Sequence, residues 1–260
     1  MIPIKIVRFE GEIGPQYGVL TDNEIRGLAV SPFNEQWDIR APVFDGTSYP
    51  AGEVELLVPC EPTKYIGVGL NFSSAAKAIG RECPAYPITF IKPLDAVIAT
   101  HEEIVLPRDE DCFCYEGEMA VVIGRRAKGV SAEHAKEYIL GCTCSNDVTD
   151  MGSFGKDDLK MKGADTFGPV GPCISTDVDP DNCVIRSWLN GELRQEGNTN
   201  EMKFSVSHMI ELLSSYMTLQ PGDVISMGTP AGLGHIRPGD QICVEVEGVG
   251  RLANGVRLET

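Results

Sequence analysis

A short acidic segment followed by an apolar one constrains the fold of this chain most: Glu116-Gly117-Glu118, then Met119 to Ile123. An unbroken run of five apolar residues predicts a strand that is covered on both faces. Side chains at i and i+2 leave a strand on the same face, so Glu116 and Glu118 should point the same way, with roots about 7 Å apart. Two carboxylates this close repel each other unless a positive group lies between them.

A divalent cation is one such positive group. Mg²⁺ prefers oxygen ligands and usually needs only a few protein carboxylates. Asp147 follows the apolar stretch Tyr138-Ile139-Leu140 and is a candidate third ligand. The alternative is that both glutamates lie on a solvated strand face, which is the commoner position for an isolated Glu-x-Glu.

The composition narrows the class of protein. A chain of 260 residues with 42% hydrophobic and 23% charged residues is typical of a globular protein with one large domain, or one domain and a small appendage. The net charge of −16 argues against nucleic acid and anionic membranes as partners. No apolar run approaches the ~20 residues that span a bilayer. The segment Met1–Phe9 alternates like a strand and lacks the apolar core of a signal peptide, so a cytoplasmic location is expected.

The nine cysteines are expected to be small buried apolar residues rather than disulfides. Cys112-Phe113-Cys114 and Cys142-Thr143-Cys144 are spaced too tightly for the usual zinc pairs. Cys112 and Cys114 would share a strand face with the glutamates if the strand began that early. A thiolate ligand is nevertheless disfavoured, because Mg²⁺ does not seek sulfur.

The chain pattern predicts two parts, a small β-rich N-terminal domain over 1–60 and a larger domain over 61–260. The boundary is placed at Pro59 to Pro62, where two prolines favour an extended link. Turn signals between short alternating segments indicate mostly strands, an α+β chain that is mainly β with a few helices. Helices are predicted over Ser73–Gly80, Ser131–Tyr138 and Ser207–Met217.

Six motifs in order carry a family resemblance, and they are Ile66-Gly67-Val68-Gly69-Leu70-Asn71-Phe72, Thr89-Phe90-Ile91-Lys92-Pro93, Glu116-Gly117-Glu118, Asn146-Asp147-Val148-Thr149, Lys162 to Pro169 and Gly228-Thr229-Pro230-Ala231-Gly232. From about Lys64 to Val256 the chain resembles the fumarylacetoacetate hydrolase family, of the C-terminal catalytic domain type. The resemblance implies a mixed β-roll or sandwich catalytic domain, usually a homodimer, acting on 2-oxo acids or acylpyruvates.

The resemblance also implies roles for five residues. Glu116, Glu118 and Asp147 would hold Mg²⁺ or Mn²⁺, leaving positions open for a small anionic 2-oxo acid. Lys162 would hold the enolate oxygen or the carboxylate of the substrate as a point charge. Thr229 would hydrogen-bond the substrate carboxylate. The alternatives are a surface lysine among its neighbours and an ordinary Gly-Thr-Pro turn.

Two departures from the family pattern bear on the reaction. Hydrolases of this family usually carry a histidine and a glutamate on a lid, where together they activate water, and this chain has Ala75 and Ala78 at those positions. Asp150-Met151-Gly152 stands where the family commonly has Ala-Arg-Asp, so an arginine that would grip the substrate carboxylate is missing. His235 and the lid-region residues Lys77, Arg81, Glu82 and Cys83 are candidate replacements, and the sequence does not decide among them.

The sequence therefore predicts a metal-dependent enzyme that stabilises the enolate of a 2-oxo acid. Tautomerisation, isomerisation or decarboxylation fits the missing dyad better than C–C hydrolysis, because these reactions need no activated water. A C–C hydrolase with a substitute base is the first alternative. A metal-binding homologue without turnover is the second.

Overall fold

The structure is a computed structural model that describes residues 4–108 and 112–260. The first ten strands are β1 (Lys5–Gly11), β2 (Gly14–Leu20), β3 (Glu24–Leu28), β4 (Phe44–Pro50), β5 (Leu56–Leu57), β6 (Tyr65–Gly69), β7 (Ile88–Lys92), β8 (Val97–Ile98), β9 (Glu103–Leu106) and β10 (Phe113–Tyr115). The next ten are β11 (Gly117–Ile123), β12 (Ile139–Asn146), β13 (Thr149–Asp150), β14 (Gly168–Ser175), β15 (Val184–Leu189), β16 (Glu192–Asn198), β17 (Val224–Ser226), β18 (Gly234–His235), β19 (Gln241–Val246) and β20 (Gly250–Leu258).

The α-helices of the described residues are α1 (Ser73–Ala78), α2 (Asp158–Lys162) and α3 (Val206–Tyr216). Single 3₁₀ turns form at Leu94–Ala96, Ala135–Tyr138, Met151–Ser153 and Thr199–Glu201. None of the helices in the described ranges is long and apolar enough to cross a membrane. The prediction of a mainly β chain with a few helices is confirmed.

Two of the three predicted helices form. Helix α1 matches the first, and α3 matches the third because its buried face repeats at helical spacing and Ser205 caps it by accepting from the His208 amide. The prediction of a helix over Ser131–Tyr138 is wrong, since only a 3₁₀ turn forms there. Ala135 is the one fully buried residue of that turn, so the segment lacks the apolar face that stabilises a longer helix.

Three sheets build the molecule. The largest has the strand order β4-β3-β2-β1-β14-β12-β11-β17-β6-β7, with β5 and β8 attached to β1 and β14. The second, β16-β15-β19-β20-β9, packs its central strands against β11, β12 and β14, and the main hydrophobic core lies between these two sheets. The third is the small sheet β13-β10-β18. Strands β1 to β4 continue the largest sheet through the β1–β14 pair, and the division at residue 60 stays a prediction.

Three neighbouring strands of the largest sheet connect along the chain to strands of the small sheet, and we call the line between the two sheets the crease. Strands β12, β11 and β17 lie side by side in the largest sheet, and the strands β13, β10 and β18 that adjoin them along the chain lie side by side in the small sheet. The residues at the crease are Glu116, Asp147-Val148 and the segment 227–233. The crease therefore gathers residues that are far apart in the sequence.

The crease corrects one prediction. Glu116 and Glu118 were expected on one continuous strand face, but Glu116 lies between β10 and β11, and only Glu118 belongs to β11. The apolar run does form a strand covered on both faces, since every residue of β11 is buried. Glu118 is only 2% exposed, so the alternative of a solvated strand face does not hold.

Candidate metal and substrate site

The three predicted metal ligands meet at the crease. One carboxylate oxygen from each of Glu116, Glu118 and Asp147 lies within 4.8 Å of the other two. Glu116 and Asp147 face each other across the strand pair, where the Asp147 amide donates to the Glu116 carbonyl at 2.9 Å. They lie close together because β11 and β12 are paired and both connect to the small sheet at this point.

Glu118 is held by neutral donors. Its Oε2 accepts from the Ser226 hydroxyl at 2.5 Å and from the Gly228 amide at 2.8 Å. Burial raises the pKa of Glu118 well above its usual value, and the charges of Asp147 and Glu116 raise it further. A cation placed among the three oxygens would offset both effects.

Lys162 lies within this carboxylate cluster. Its ammonium donates to Glu116 Oε1 at 3.1 Å, to Thr149 Oγ1 at 2.6 Å and to Asp147 Oδ2. Burial alone would lower the pKa of Lys162, but the Asp147 and Glu116 carboxylates outweigh it and raise the pKa above its usual value. Lys162 is 6% exposed, so the alternative of a solvated surface lysine does not hold.

Sequence reasoning missed a second lysine, Lys92 at the end of β7. Its fully buried ammonium lies 2.7 Å from Asp147 Oδ1 and donates to the carbonyls of Val148 at 3.0 Å and Lys162 at 2.8 Å. Burial lowers the pKa of Lys92 despite the neighbouring Asp147. Burial would raise the pKa of Asp147, but Lys162 and Lys92 together hold it below its usual value. The available signal was the Ile91-Lys92-Pro93 motif, which by itself indicates no role.

Thr229 lies at the crease, 7% exposed, and its hydroxyl bonds to the protein itself. The hydroxyl donates to the Gly117 carbonyl at 2.8 Å and accepts from Gln195 Nε2 at 2.7 Å. Gln195, on β16, also accepts from the Gly117 amide at 3.0 Å. Gln195 was not predicted, because a glutamine between charged residues carries no motif.

The lid-region residues lie apart from the carboxylates. Ala75 packs into the core at 6% exposed, whereas Ala78 is exposed. Among the described residues, the hydrogen-bond partners of the three carboxylates do not include Lys77, Arg81, Glu82 or Cys83. His235 is exposed, and its Nδ1 lies 3.6 Å from Cys114 Sγ on the paired strand. Within the described ranges, none of these five candidate replacements is thus hydrogen-bonded to the carboxylate cluster.

The segment that lacks the family's arginine, Asp150-Met151-Gly152, begins a 3₁₀ turn. Asp150 accepts from the Gly152 amide at 2.9 Å and from the Ser153 hydroxyl at 2.6 Å, which fixes the 3₁₀ turn after β13. The expected carboxylate grip from this segment is absent from its sequence. The buried cations that contact the cluster in the described residues are Lys162 and Lys92.

The cysteines agree with their expected packing role. All nine are free, and six are buried. Burial raises the pKa of Cys114 to about 12, so this thiol is neutral at physiological pH. The group of possible metal ligands found in the described residues contains carboxylates and no cysteine.

The donor set fits a hard divalent cation. All three ligands are carboxylates, which suit Mg²⁺ and Mn²⁺, and thiol or imidazole groups that would favour zinc or copper do not join them in the described cluster. Buried Glu118 receives hydrogen bonds from neutral groups although two other carboxylates lie close by. These features are compatible with the binding of one such ion.

Comparisons with known proteins identify relatives of this chain. Residues 64–257 match the family described as "Fumarylacetoacetate (FAA) hydrolase C-terminal", and residues 4–59 match "Rv2993c-like, N-terminal". A 4-hydroxyphenylacetate degradation bifunctional isomerase/decarboxylase of Salmonella dublin is 40% identical over 198 residues, which are 74% of this chain and 46% of that protein. A mitochondrial oxaloacetate tautomerase of Bos taurus is 36% identical over 222 residues, covering 80% of this chain and 71% of that protein.

Solved structures agree with these matches. A 5-carboxymethyl-2-hydroxymuconate delta-isomerase from Mycobacterium smegmatis superposes with a TM-score of 0.89 at 38% identity, over 98% of this chain and 100% of that one. A maleylpyruvate hydrolase from Sphingobium sp. SYK-6, in complex with manganese (II) ion and pyruvate, gives 0.79 at 28% identity over the same shares. The relatives thus include isomerases, a tautomerase and a hydrolase.

Proposed function

Because the chain belongs to the fumarylacetoacetate hydrolase family, we propose that it is a divalent-metal-dependent enzyme that stabilises the enolate of a small anionic 2-oxo acid. Tautomerisation, isomerisation or decarboxylation is the proposed reaction. The observation that carries the proposal is the cluster of Glu116, Glu118 and Asp147 with the Lys162 ammonium among them. The isomerase/decarboxylase and tautomerase relatives support this choice of reaction class.

The proposed cofactor is Mg²⁺ or Mn²⁺. Bound by the three carboxylates, it would supply the Lewis acid that stabilises negative charge on the 2-oxo oxygen. The manganese ion in the maleylpyruvate hydrolase structure supports a metal of this kind. The fit of the ligands gives no preference between the two ions, because both accept carboxylate oxygens.

Lys162 and Lys92 have different proposed tasks. The Lys162 ammonium donates to Glu116 and Asp147, two carboxylates that a bound cation would neutralise, so it would then be free to hold the substrate carboxylate or the developing enolate oxygen by charge. The Lys92 ammonium pairs with Asp147 and donates to the carbonyls of Val148 and Lys162. It would therefore orient the metal ligand Asp147 and helix α2, which ends at Lys162. Neither task requires an activated water.

C–C hydrolysis is the second candidate, favoured by the maleylpyruvate hydrolase relative. Against it stands the alanine pair at the positions of the water-activating dyad. Alanine transfers no proton, and general acid–base help is worth roughly 10²–10⁴ in rate. Hydrolysis should therefore be slower than enolate chemistry by about that factor.

The test is a substrate screen read by NMR. Wild-type protein with Mg²⁺ or Mn²⁺ is offered oxaloacetate, an unsaturated 2-hydroxy diacid and an acylpyruvate, and the products are identified. The control is Glu118→Gln, which keeps the side-chain shape and removes a ligand charge. We expect conversion of the first two substrates, absent in the control. Rapid acylpyruvate hydrolysis without the other activities would move the hydrolase to first place, and no conversion at all would favour an inactive metal-binding homologue.

We also propose a cytoplasmic homodimer. Nine free cysteines are compatible with a reducing compartment, and homodimers are the usual state that the family resemblance implies. Light scattering of the purified protein tests the second claim, and a mass near that of one 28.2 kDa chain would refute it.

A further inference from the structure

Gln195 joins the second sheet to the peptide between two of the proposed metal ligands. It lies on β16, and its side chain contacts Gly117, which separates Glu116 from Glu118. We infer that Gln195 is a positioning residue for the metal site, and that the Thr229 hydroxyl belongs to the same device. This inference rests on the proposed function, because it assigns the device to the ion that the carboxylates would bind.

The contacts form a closed ring. Gln195 Oε1 accepts from the Gly117 amide at 3.0 Å, and Gln195 Nε2 donates to the Thr229 hydroxyl at 2.7 Å. The Thr229 hydroxyl then donates to the Gly117 carbonyl at 2.8 Å. Both backbone groups of Gly117 are therefore bound by side chains that also bind each other. We call these three residues the Gly117 clamp.

The polar side-chain hydrogens of Gln195 and Thr229 are all used within the protein. Gln195 is fully buried, and its second Nε2 hydrogen goes to the Pro230 carbonyl at 2.9 Å. A threonine hydroxyl has a single hydrogen, which Thr229 gives to Gly117. The Thr229 hydroxyl could donate to a substrate carboxylate only by releasing the Gly117 carbonyl.

The second sheet packs closely against the Glu116-Gly117-Glu118 segment at Gly117. A Cβ at residue 117 would lie 1.9 Å from Ser187 Oγ, and Ser187 is on β15, the neighbour of β16. The chain that follows β17 also holds this segment, since Gly228 donates to the Glu118 carboxylate while Thr229 donates to Gly117. The clamp thus sets the positions from which Glu116 and Glu118 reach toward a shared ion.

The test measures Mn²⁺ binding by calorimetry, with no substrate present. In Gln195→Met, which keeps the length and removes the hydrogen bonds, we expect binding weaker by about 10–100-fold, as for other groups that hold ligands from behind. Thr229→Val should weaken Mn²⁺ binding similarly, and Thr229→Ser should restore it because the hydroxyl remains. The two losses should combine less than additively, because both residues belong to one ring.

Asn254→Leu is the matched control. Asn254 is also a buried amide, and it donates to the carbonyls of Ala99 at 2.8 Å and Glu102 at 2.9 Å, in another part of the fold. The Asn254→Leu change should lower the melting temperature while leaving Mn²⁺ affinity within about twofold of wild type, well short of the loss of about 10–100-fold expected for Gln195→Met.

The outcomes separate the two claims. A Gln195→Met protein that binds Mn²⁺ as wild type does refutes the clamp, whatever its melting temperature. A Thr229→Val protein with unchanged Mn²⁺ affinity and a raised KM shows that Thr229 contacts substrate, which also refutes it. A wild-type protein that binds no Mn²⁺ refutes the proposed metal site and the clamp's role with it, whereas loss in the variants alone supports both.

Discussion

Removing the Lys92 ammonium should destabilise the protein strongly even without metal. In Lys92→Met the Asp147 carboxylate loses a partner at 2.7 Å, and the carbonyls of Val148 and Lys162 lose their donor. Deleting one partner of a fully buried ion pair costs about 3–5 kcal/mol. Here the single Lys162 ammonium would remain to offset both Asp147 and Glu116, so part of the buried negative charge would lose its compensation. For a chain of this size a loss of about 3–5 kcal/mol corresponds to a melting temperature lower by about 6–20 °C.

Lys64→Met is the matched control for this change. Lys64 also pairs with a buried carboxylate, Asp223, at 2.7 Å, but the lysine side chain is 22% exposed. Asp223 keeps hydrogen bonds from the Thr63 amide and hydroxyl and from the amides of Lys64 and Gln220. The control should therefore lose about 1 kcal/mol or less.

Urea unfolding with a chelator present measures the free energy of unfolding of both variants. Repeating the measurement at several pH values provides a second test. Lys162 and Lys92 hold the pKa of Asp147 below its usual value, so their contribution to stability is present above the unfolded pKa of ~3.9 and is lost as the pH falls through the folded pKa. The difference between wild type and Lys92→Met should accordingly be full at pH 7 and shrink below about pH 4. Equal losses in Lys92→Met and Lys64→Met at pH 7 would refute this account of the buried lysine.

Three further outcomes follow from the site. Glu118→Gln should abolish turnover yet stabilise the metal-free protein at neutral pH. Because the folded pKa of Glu118 is raised, its ionisation costs stability as the pH rises above ~4.3. Unfolding curves recorded with a chelator at pH 5 and pH 8 measure this effect. Lys162→Met should lower kcat by about 10²–10³ with a smaller change in Mn²⁺ affinity, and equal losses would assign Lys162 to the metal instead of the substrate. Ala75→His with Ala78→Glu should raise acylpyruvate hydrolysis relative to tautomerisation in paired rate assays, at a cost in melting temperature because Ala75 is buried.

Part of this fold could be predicted because its signals are local. The continuous apolar run gave β11, and the helical spacing of Met209, Ile210 and Leu213 gave α3. The segment Ser131–Tyr138 failed because helix-favouring residues were present without an apolar face to bury. Propensity without burial is a weak signal in a folded protein.

The site was predictable to the extent that charge and motif marked it. Glu116, Glu118, Asp147 and Lys162 carry charge within recognisable motifs, and the structure brings them together. Gln195 lies on a strand whose apolar and polar residues do not mark its buried face. The β15–β16 register shifts between Ser187 and Trp188, and Leu193 is exposed whereas Gln195 is buried. A bulge of this kind leaves no mark that a single sequence would reveal.

The crease itself depends on pairings between distant strands, so no local pattern announces it. It also bears on which ion the protein selects. Glu118 belongs to the largest sheet, whereas Glu116 and Asp147 lie where the chain passes to the small sheet. A change in the angle between those sheets therefore moves the oxygens apart or together as a set. Mg²⁺ requires oxygens at about 2.0–2.1 Å and Ca²⁺ at about 2.3–2.6 Å. Selection by ionic radius then becomes a property of sheet packing, and substitutions far from any carboxylate could alter the preferred ion.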